Sequence, residues 1–257
     1  MIIAAFNPKG GSGKTTTAVN VATVLAKSGK SVLLIDLDVD VNASISLGIR
    51  PNEVRPSMAD VLLHHRRPGD AVREVTGVDN LWLITGSPEL ARMDVALRNV
   101  RQPERRLADI VKPLTAQFDV IMIDAPAGYS LVGLSVPLAA DELIVPLRAE
   151  YLSLESLAQF LGWYRDSLAN RRASARITGI LLTMVDYRRQ ATREIVDIIR
   201  LHNRRGVFRT EIPPDPRVAE APSHGVPLVT YAPSSRAAAA YTELTTELLQ
   251  RMRRRAT

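Results

Sequence analysis

Residues 1–16 read MIIAAFNPKGGSGKTT, and the reading of this stretch decides the fold. Met1–Phe6 is a continuous apolar run rather than an alternating one, as expected of a strand covered on both faces in a parallel sheet. A glycine-rich loop, Lys9-Gly10-Gly11-Ser12-Gly13-Lys14, follows it directly, and a helical pattern starts at Thr15. Glycines let a backbone curl until successive N–H groups converge on one anion. The helix N-terminus behind the loop adds partial positive charge. Lys14 is placed to reach bound phosphates as a point charge. The Thr15 hydroxyl is placed to ligate Mg²⁺, and Thr16 to hydrogen-bond an α-phosphate.

Further apolar runs continue the pattern: Ser31–Leu37, Phe118–Asp124, Glu142–Leu147 and Ile177–Thr183, with Leu81–Thr85 and Val207–Ile212 as shorter strands. Helical patterns fall between them, most clearly at Thr15–Ser28, Pro103–Leu114, Ser153–Leu168, Arg189–Leu201 and Ser235–Arg254. Alternation along the whole length predicts an α/β fold, a doubly wound and mostly parallel sheet flanked by helices, as a single domain over 1–257. Residues 49–80 are the least regular and read as an exposed excursion. Ile212–Pro227 (IPPDPRVAEAPSHGVP) reads as a long loop or a short helix between loops.

Two carboxylate motifs follow strands. Asp36-Leu37-Asp38-Val39-Asp40 ends the second run, and three alternating carboxylates at a strand edge cannot all be core residues. Asp124 ends VIMID, a position that sets a carboxylate beside a phosphate-bound Mg²⁺. The chain has no cysteine, which excludes disulfides, thiol nucleophiles, iron–sulfur clusters and Cys-ligated zinc. No apolar run reaches the roughly 18 residues of a membrane span, and the N-terminus lacks the basic flank of a signal peptide. A cytoplasmic protein is the expectation.

The net charge of +6 is uneven. Residues 1–150 hold 16 basic and 17 acidic residues, whereas 151–257 hold 17 and 10. Nearly all the excess is arginine, whose planar fork suits phosphate oxygens. The candidate phosphate contacts are Arg193, Arg200, Arg217, Arg236, Arg251 and Arg254. Contacts of this kind predict DNA binding without base readout and with steep salt dependence. The last helix has too small an apolar face for a stable membrane anchor.

The loop KGGSGKTT resembles the deviant Walker A signature of the ParA/MinD family of P-loop ATPases. EYLSLES at 150–156, GILLTMVDYR at 179–188 and the 212–241 segment resemble Soj-type chromosomal ParA, so the resemblance spans essentially the whole chain. It implies ATP and Mg²⁺ as ligands, held by Lys9, Gly10, Gly11, Ser12, Gly13, Lys14, Thr15 and Thr16, with Thr15, Asp38 and Asp124 at the metal. It implies catalytic roles for Lys9, Lys14 and Asp38: Lys9 reaches the partner's ATP in a sandwich homodimer, and Asp38 helps place the attacking water. Adenine is expected near Met184, Asp186, Pro213 and Pro214. The family commonly has proline and glycine where this chain has Val39 and Val41. The resemblance further implies ATP hydrolysis stimulated by a ParB-like protein, non-specific binding to double-stranded DNA on the nucleoid, and DNA partition, chromosomal or plasmid. The alternative is positioning of a non-DNA cargo. No N-terminal helix-turn-helix domain is expected.

Overall fold

The computed structural model describes residues 1–50, 54–63, 66–169, 175–203 and 206–256. Seven strands form one sheet: β1 (Ile2–Ala5), β2 (Val32–Asp36), β3 (Arg73–Glu74), β4 (Leu81–Ile84), β5 (Val120–Asp124), β6 (Glu142–Arg148) and β7 (Arg176–Thr183). Their order is β3-β4-β2-β5-β1-β6-β7, and every pairing except β3 with β4 is parallel. This is the doubly wound architecture that the alternating pattern predicts. The chain leaves β1 for β2 on one side and leaves β5 for β6 on the other, and such a switch point opens a crevice at the C-terminal ends of the strands.

The helices are α1 (Lys14–Lys27), α2 (Asn42–Ser46), α3 (Met58–Leu62), α4 (Met93–Ala96), α5 (Arg106–Leu114), α6 (Leu131–Ala139), α7 (Tyr151–Ala169), α8 (Gln190–His202), α9 (Arg217–Glu220), α10 (Leu228–Tyr231) and α11 (Arg236–Ala256). Strand side chains alternate between two cores because successive Cβ atoms point to opposite faces. Ile2, Ala4, Leu33, Ile35 and Ile121 pack with α5, α6 and α7. Ile3, Ala5, Val32, Leu34 and Met122 pack with α1 and α11. Each such buried aliphatic side chain is worth about 1.5–3 kcal/mol relative to exposure. Covering both faces explains why these strands read as unbroken apolar runs.

One helix is added to the expected set, and two expectations change. Helix α6 has the sequence LVGLSVPLA, apolar nearly all round and carrying Pro137, so it shows no amphipathic period. Its start is nonetheless local, since Ser130 Oγ accepts the Gly133 N–H at 3.2 Å. The 49–80 segment is not an exposed excursion: Met58, Ala59, Val61, Leu62, Ala71, Val75 and Val78 are buried in the cores. Residues 51–53 and 64–65 lie outside the described residues. Val207–Ile212 is not a continuous strand. It touches β7 only through two isolated parallel bridges, Ile180 with Val207 and Thr183 with Ile212.

Glu247 on α11 explains that interruption. Its carboxylate accepts the N–H groups of Arg209 and Thr210 at 2.9 and 3.0 Å, and the Thr210 hydroxyl at 2.9 Å. A ladder cannot use donors already taken. Arg251 completes the knot: it pairs with Glu247 at 2.8 Å, donates to the carbonyls of Thr178 and Val207, and lies 4.4 Å over the Phe208 ring.

The knot makes a pH prediction. Burial alone would raise the Glu247 carboxyl, but these donors together hold it below its ordinary 4.5. A lowered folded pKa gives stability that is present above pH 4.5 and lost as pH falls through the folded value. Glu247→Gln should therefore destabilise by about 3 kcal/mol at pH 7 and flatten the acid limb of the stability curve below about pH 4.5. Denaturant melts from pH 3 to 7 check both parts.

Val41, just before α2, carries a second prediction. It has φ of 52° and ψ of 30°, a left-handed conformation that costs a residue with a Cβ about 1–2 kcal/mol. At ordinary positions glycine is less stabilising than alanine by about 0.5–1 kcal/mol. Here the order should invert, with Val41→Gly more stable than Val41→Ala in thermal melts.

Candidate functional site

The C-terminal ends of β1, β2, β5, β6 and β7 converge on the loop Pro8–Gly13. Three neighbours fix the loop's path. Asn7 donates to Pro146 O on β6 at 2.7 Å and accepts the Lys9 N–H at 2.9 Å. The Thr183 hydroxyl, at the end of β7, donates to Ser12 O at 2.9 Å. Gly128 N–H, in the loop after β5, donates to Pro8 O at 2.8 Å. Gly13 turns the chain into α1 with φ of 92°, a conformation only glycine adopts cheaply.

The start of α1, like those of α2, α8 and α10, is closed by no side chain. Gly13 offers no side-chain cap and the first turn has no acidic residue. By contrast, α3 begins with a full capping box from Ser57 and Asp60. The donors at the start of α1 are thus left for an outside acceptor.

Asp124 ends β5 with no solvent exposure, and neither carboxylate oxygen has a hydrogen-bond partner within 3.5 Å among the described residues, the Thr15 side chain being the donor near enough to pull on it. Burial pushes its carboxyl well above the usual range, and the nearby Asp36 charge pushes it further. Thr15, and the Lys14 charge to a lesser degree, pull the other way. Lys14 is itself buried and its Nζ donates to Lys9 O at 3.2 Å. Burial lowers the Lys14 pKa, while Asp124 and Asp38 raise it. An orphaned carboxylate, a buried ammonium and uncapped amides in one crevice match what a phosphate-bound divalent cation requires. Thr15, Asp38 and Asp124 are residues of this crevice that could hold such a cation directly or through water.

Asp36 and Asp38 take different parts. Asp36 is fully buried and accepts Ser44 N–H at 2.9 Å, Ser44 Oγ at 2.7 Å and Asp38 N–H at 3.0 Å. Burial outweighs these donors and raises its carboxyl to about 6. It pins the turn that carries Asp38. Asp38 is only half-buried and accepts the Asp40 N–H at 3.2 Å. Gly86, after β4, closes against this turn. A Cβ there would lie 2.8 Å from Asp38 O and 3.1 Å from the Asp36 carboxyl carbon.

The residues expected around adenine divide. Asp186, Pro213 and Pro214 line one cavity of about 730 Å³, together with Arg193, Arg236 and Glu243. Met184 is half-exposed, with φ of 54°, next to the cavity-lining Val185. Arg193 and Arg236 thus open onto the cavity as well as onto the surface.

The six arginines expected on DNA also divide. Arg251 is taken up by Glu247 and the Phe208 ring, as described above. Arg200 pairs with Glu211 at 2.6 Å and donates to Phe208 O at 3.2 Å. Both guanidiniums belong to the packing of the 206–212 segment, which helical spacing alone does not reveal. Arg217 is partly exposed in a two-point pair with Asp215, at 2.8 and 3.2 Å. Arg193, Arg236 and Arg254 are exposed.

Sequence reading did not single out Asn7, Thr183, Gly86 or Arg148. Their placement depends on which strand ends are neighbours, and only an Asn directly before a glycine-rich loop was a usable local signal. Among the described residues no helix is long and apolar enough to cross a membrane. The apolar face of α11, with Tyr241, Leu244 and Leu248, is buried in the core.

Comparison with known proteins agrees with this geometry. A family model described as an AAA domain matches residues 1–172. The sporulation initiation inhibitor protein Soj of Bacillus subtilis is 36% identical over 247 residues, covering 96% of this chain and 97% of its own. The chromosome-partitioning ATPase Soj of Thermus thermophilus is 36% identical over 252 residues, covering 97% and 96%. Among solved structures, cobyrinic acid a,c-diamide synthase from Mycobacterium smegmatis with bound ADP and magnesium superposes with a TM-score of 0.85 at 27% identity, covering 98% of this chain and 95% of that one. With relatives matched over nearly their full length, this chain belongs to the Soj/ParA family of chromosome-partitioning ATPases.

Proposed function

We propose that this chain binds ATP with Mg²⁺ in the crevice around Gly10–Thr16 and hydrolyses it to drive DNA partition. The observation that carries the reading is the buried, unpartnered Asp124 beside Lys14 and the uncapped start of α1. Magnesium supplies charge neutralisation at the β- and γ-phosphates when bound. Lys14 and the loop amides hold the phosphates, and Thr15 and Asp124 orient the metal. Asp38, held by the Asp36-pinned turn, positions the attacking water. Asp186, Pro213 and Pro214 receive the base in the adjoining cavity. The ADP and magnesium bound by the similar synthase support this ligand set, as does membership of an ATPase family.

Two subunits close into an ATP-sandwich homodimer, with each Lys9 reaching the partner's phosphates. The exposed Arg193, Arg217, Arg236 and Arg254 then meet the DNA backbone from both subunits. Arg200 and Arg251 are not part of that face, because the fold uses them. Dimerisation doubles the number of phosphate contacts, so ATP gates a non-specific grip on nucleoid DNA. A ParB-like partner stimulates hydrolysis and so releases the dimer. A membrane-bound version of this cycle is disfavoured by the burial of the apolar face of α11.

Binding to random-sequence duplex DNA, measured with ATP, with ADP and without nucleotide, tests the reading. Binding should require ATP and fall about ten-thousandfold between 50 and 200 mM salt for about eight phosphate contacts, four from each subunit. Lys14→Ala should abolish ATP binding, and Asp38→Ala should hold the ATP dimer on DNA. No DNA binding under any condition, or rapid release of the Asp38→Ala dimer, contradicts the reading.

A further inference from the structure

The cations around the phosphate loop fall into two groups. Lys14 lies inside the cradle, buried, beside Asp124. Lys9 and Arg148 lie on the loop's other wall, toward α7. Lys9 Nζ donates to Ser153 Oγ, on the first turn of α7, at 3.2 Å. Arg148, the last residue of β6, pairs with Glu150 at 2.5 Å, and its side chain remains 38% exposed. Its Nη1 lies 4.0 Å from where a Cβ on Gly11 would stand. Arg148 therefore reaches the loop at Gly11.

Arg148 is incompletely satisfied there. Its Nε is buried without a hydrogen-bond partner among the described residues. A guanidinium offers five donors in a fixed fork, and a single carboxylate at Nη2 leaves part of that fork unused. Register places Arg148 opposite Thr183, the residue that tethers Ser12, so the side chain starts from a fixed point on the strand edge.

We propose that Arg148 is a second cation acting across the dimer, donating to a phosphate oxygen of the nucleotide held by a second copy of this chain. The proposal rests on the sandwich-dimer reading above and extends it to a positioning residue beyond Lys9. The partner's phosphate fills the donor capacity that Glu150 leaves open. Glu150 masks the charge in the separate subunit and competes with the phosphate in the dimer.

The test uses Arg148→Gln, Arg148→Lys and Glu150→Gln, each in an Asp38→Ala background so that ATP persists. ADP affinity of the separate subunit and ATP-dependent dimerisation, by sedimentation, are measured side by side. Arg148→Gln should weaken ATP-dependent dimerisation about a hundredfold or more, the effect of two lost charge-assisted hydrogen bonds, one from each subunit. Its ADP affinity should stay within about twofold, because Lys14 and the loop amides serve the subunit's own nucleotide. Arg148→Lys should recover part of the loss, and Glu150→Gln should tighten the dimer, opposite in sign to any general loss of fold. Unchanged dimerisation in Arg148→Gln overturns the proposal, and so does a parallel loss of ADP affinity, which would place Arg148 on its own nucleotide. If the Asp38→Ala protein itself does not dimerise with ATP, the sandwich reading fails together with this proposal.

Discussion

A carboxylate shut off from solvent, with no closed hydrogen bond among the described residues, is an expensive thing for a fold to keep. Asp124 is such a group, and the rest of the crevice is arranged around it. Leaving a buried charge unpaired costs several kcal/mol, so the group either stays protonated or waits for a cation. Lys14 is close enough to act on it electrostatically but is itself desolvated, and its Nζ is turned to Lys9 O. The two groups do not neutralise each other in a closed salt bridge. A stable core would not be built this way, whereas a site that gains free energy when an anion and a divalent cation enter together would be.

The sheet supplies the geometry for this arrangement. Parallel strands put their C-terminal ends on one edge, and the switch point at β1 leaves a crevice there. Asp36 converts that edge into a held turn by accepting three donors, so Asp38 is presented at a fixed place without being buried. Val41 stays in a left-handed conformation at the far end of the same turn, a strain that a loop tied at Ser44 can maintain. Gly86 lets β4 close against the turn from the other side. On the opposite flank, the Glu247–Arg251 knot stiffens the 206–212 segment, which leads into the cavity-lining Pro213 and Pro214.

Much of this was legible in the residues. Met1–Phe6 followed by KGGSGKTT named both the strand and the loop, because a continuous apolar run, glycines and a Lys-Thr pair each have a single ready physical reading. The position of Asp36 and Asp124 at the ends of strands was legible for the same reason, whereas singling out Asp38 rested on the family resemblance. Helix α6 was not, since an element buried on most sides carries no amphipathic period. The fates of Arg200 and Arg251 were hidden too. A guanidinium on a helix reads the same in sequence whether it faces solvent or a buried glutamate four residues away. Arg148 and Thr183 meet the loop only because β6 lies beside β1 and β7 beside β6, and strand order is not written in any local pattern.

The central claim is that the crevice is completed by a metal and a nucleotide together, through Asp124. Thermal stability measured with ADP plus Mg²⁺, and with ADP plus a chelator, tests it most directly when the protein and its Asp124→Asn variant are compared. The account predicts that Mg²⁺ adds a clear increment to the ADP-induced shift in the unsubstituted protein. Asp124→Asn should lose that increment, while its ligand-free stability equals or exceeds that of the unsubstituted protein. Equal shifts with and without Mg²⁺, or an Asp124→Asn variant that keeps the Mg²⁺ increment, would contradict it.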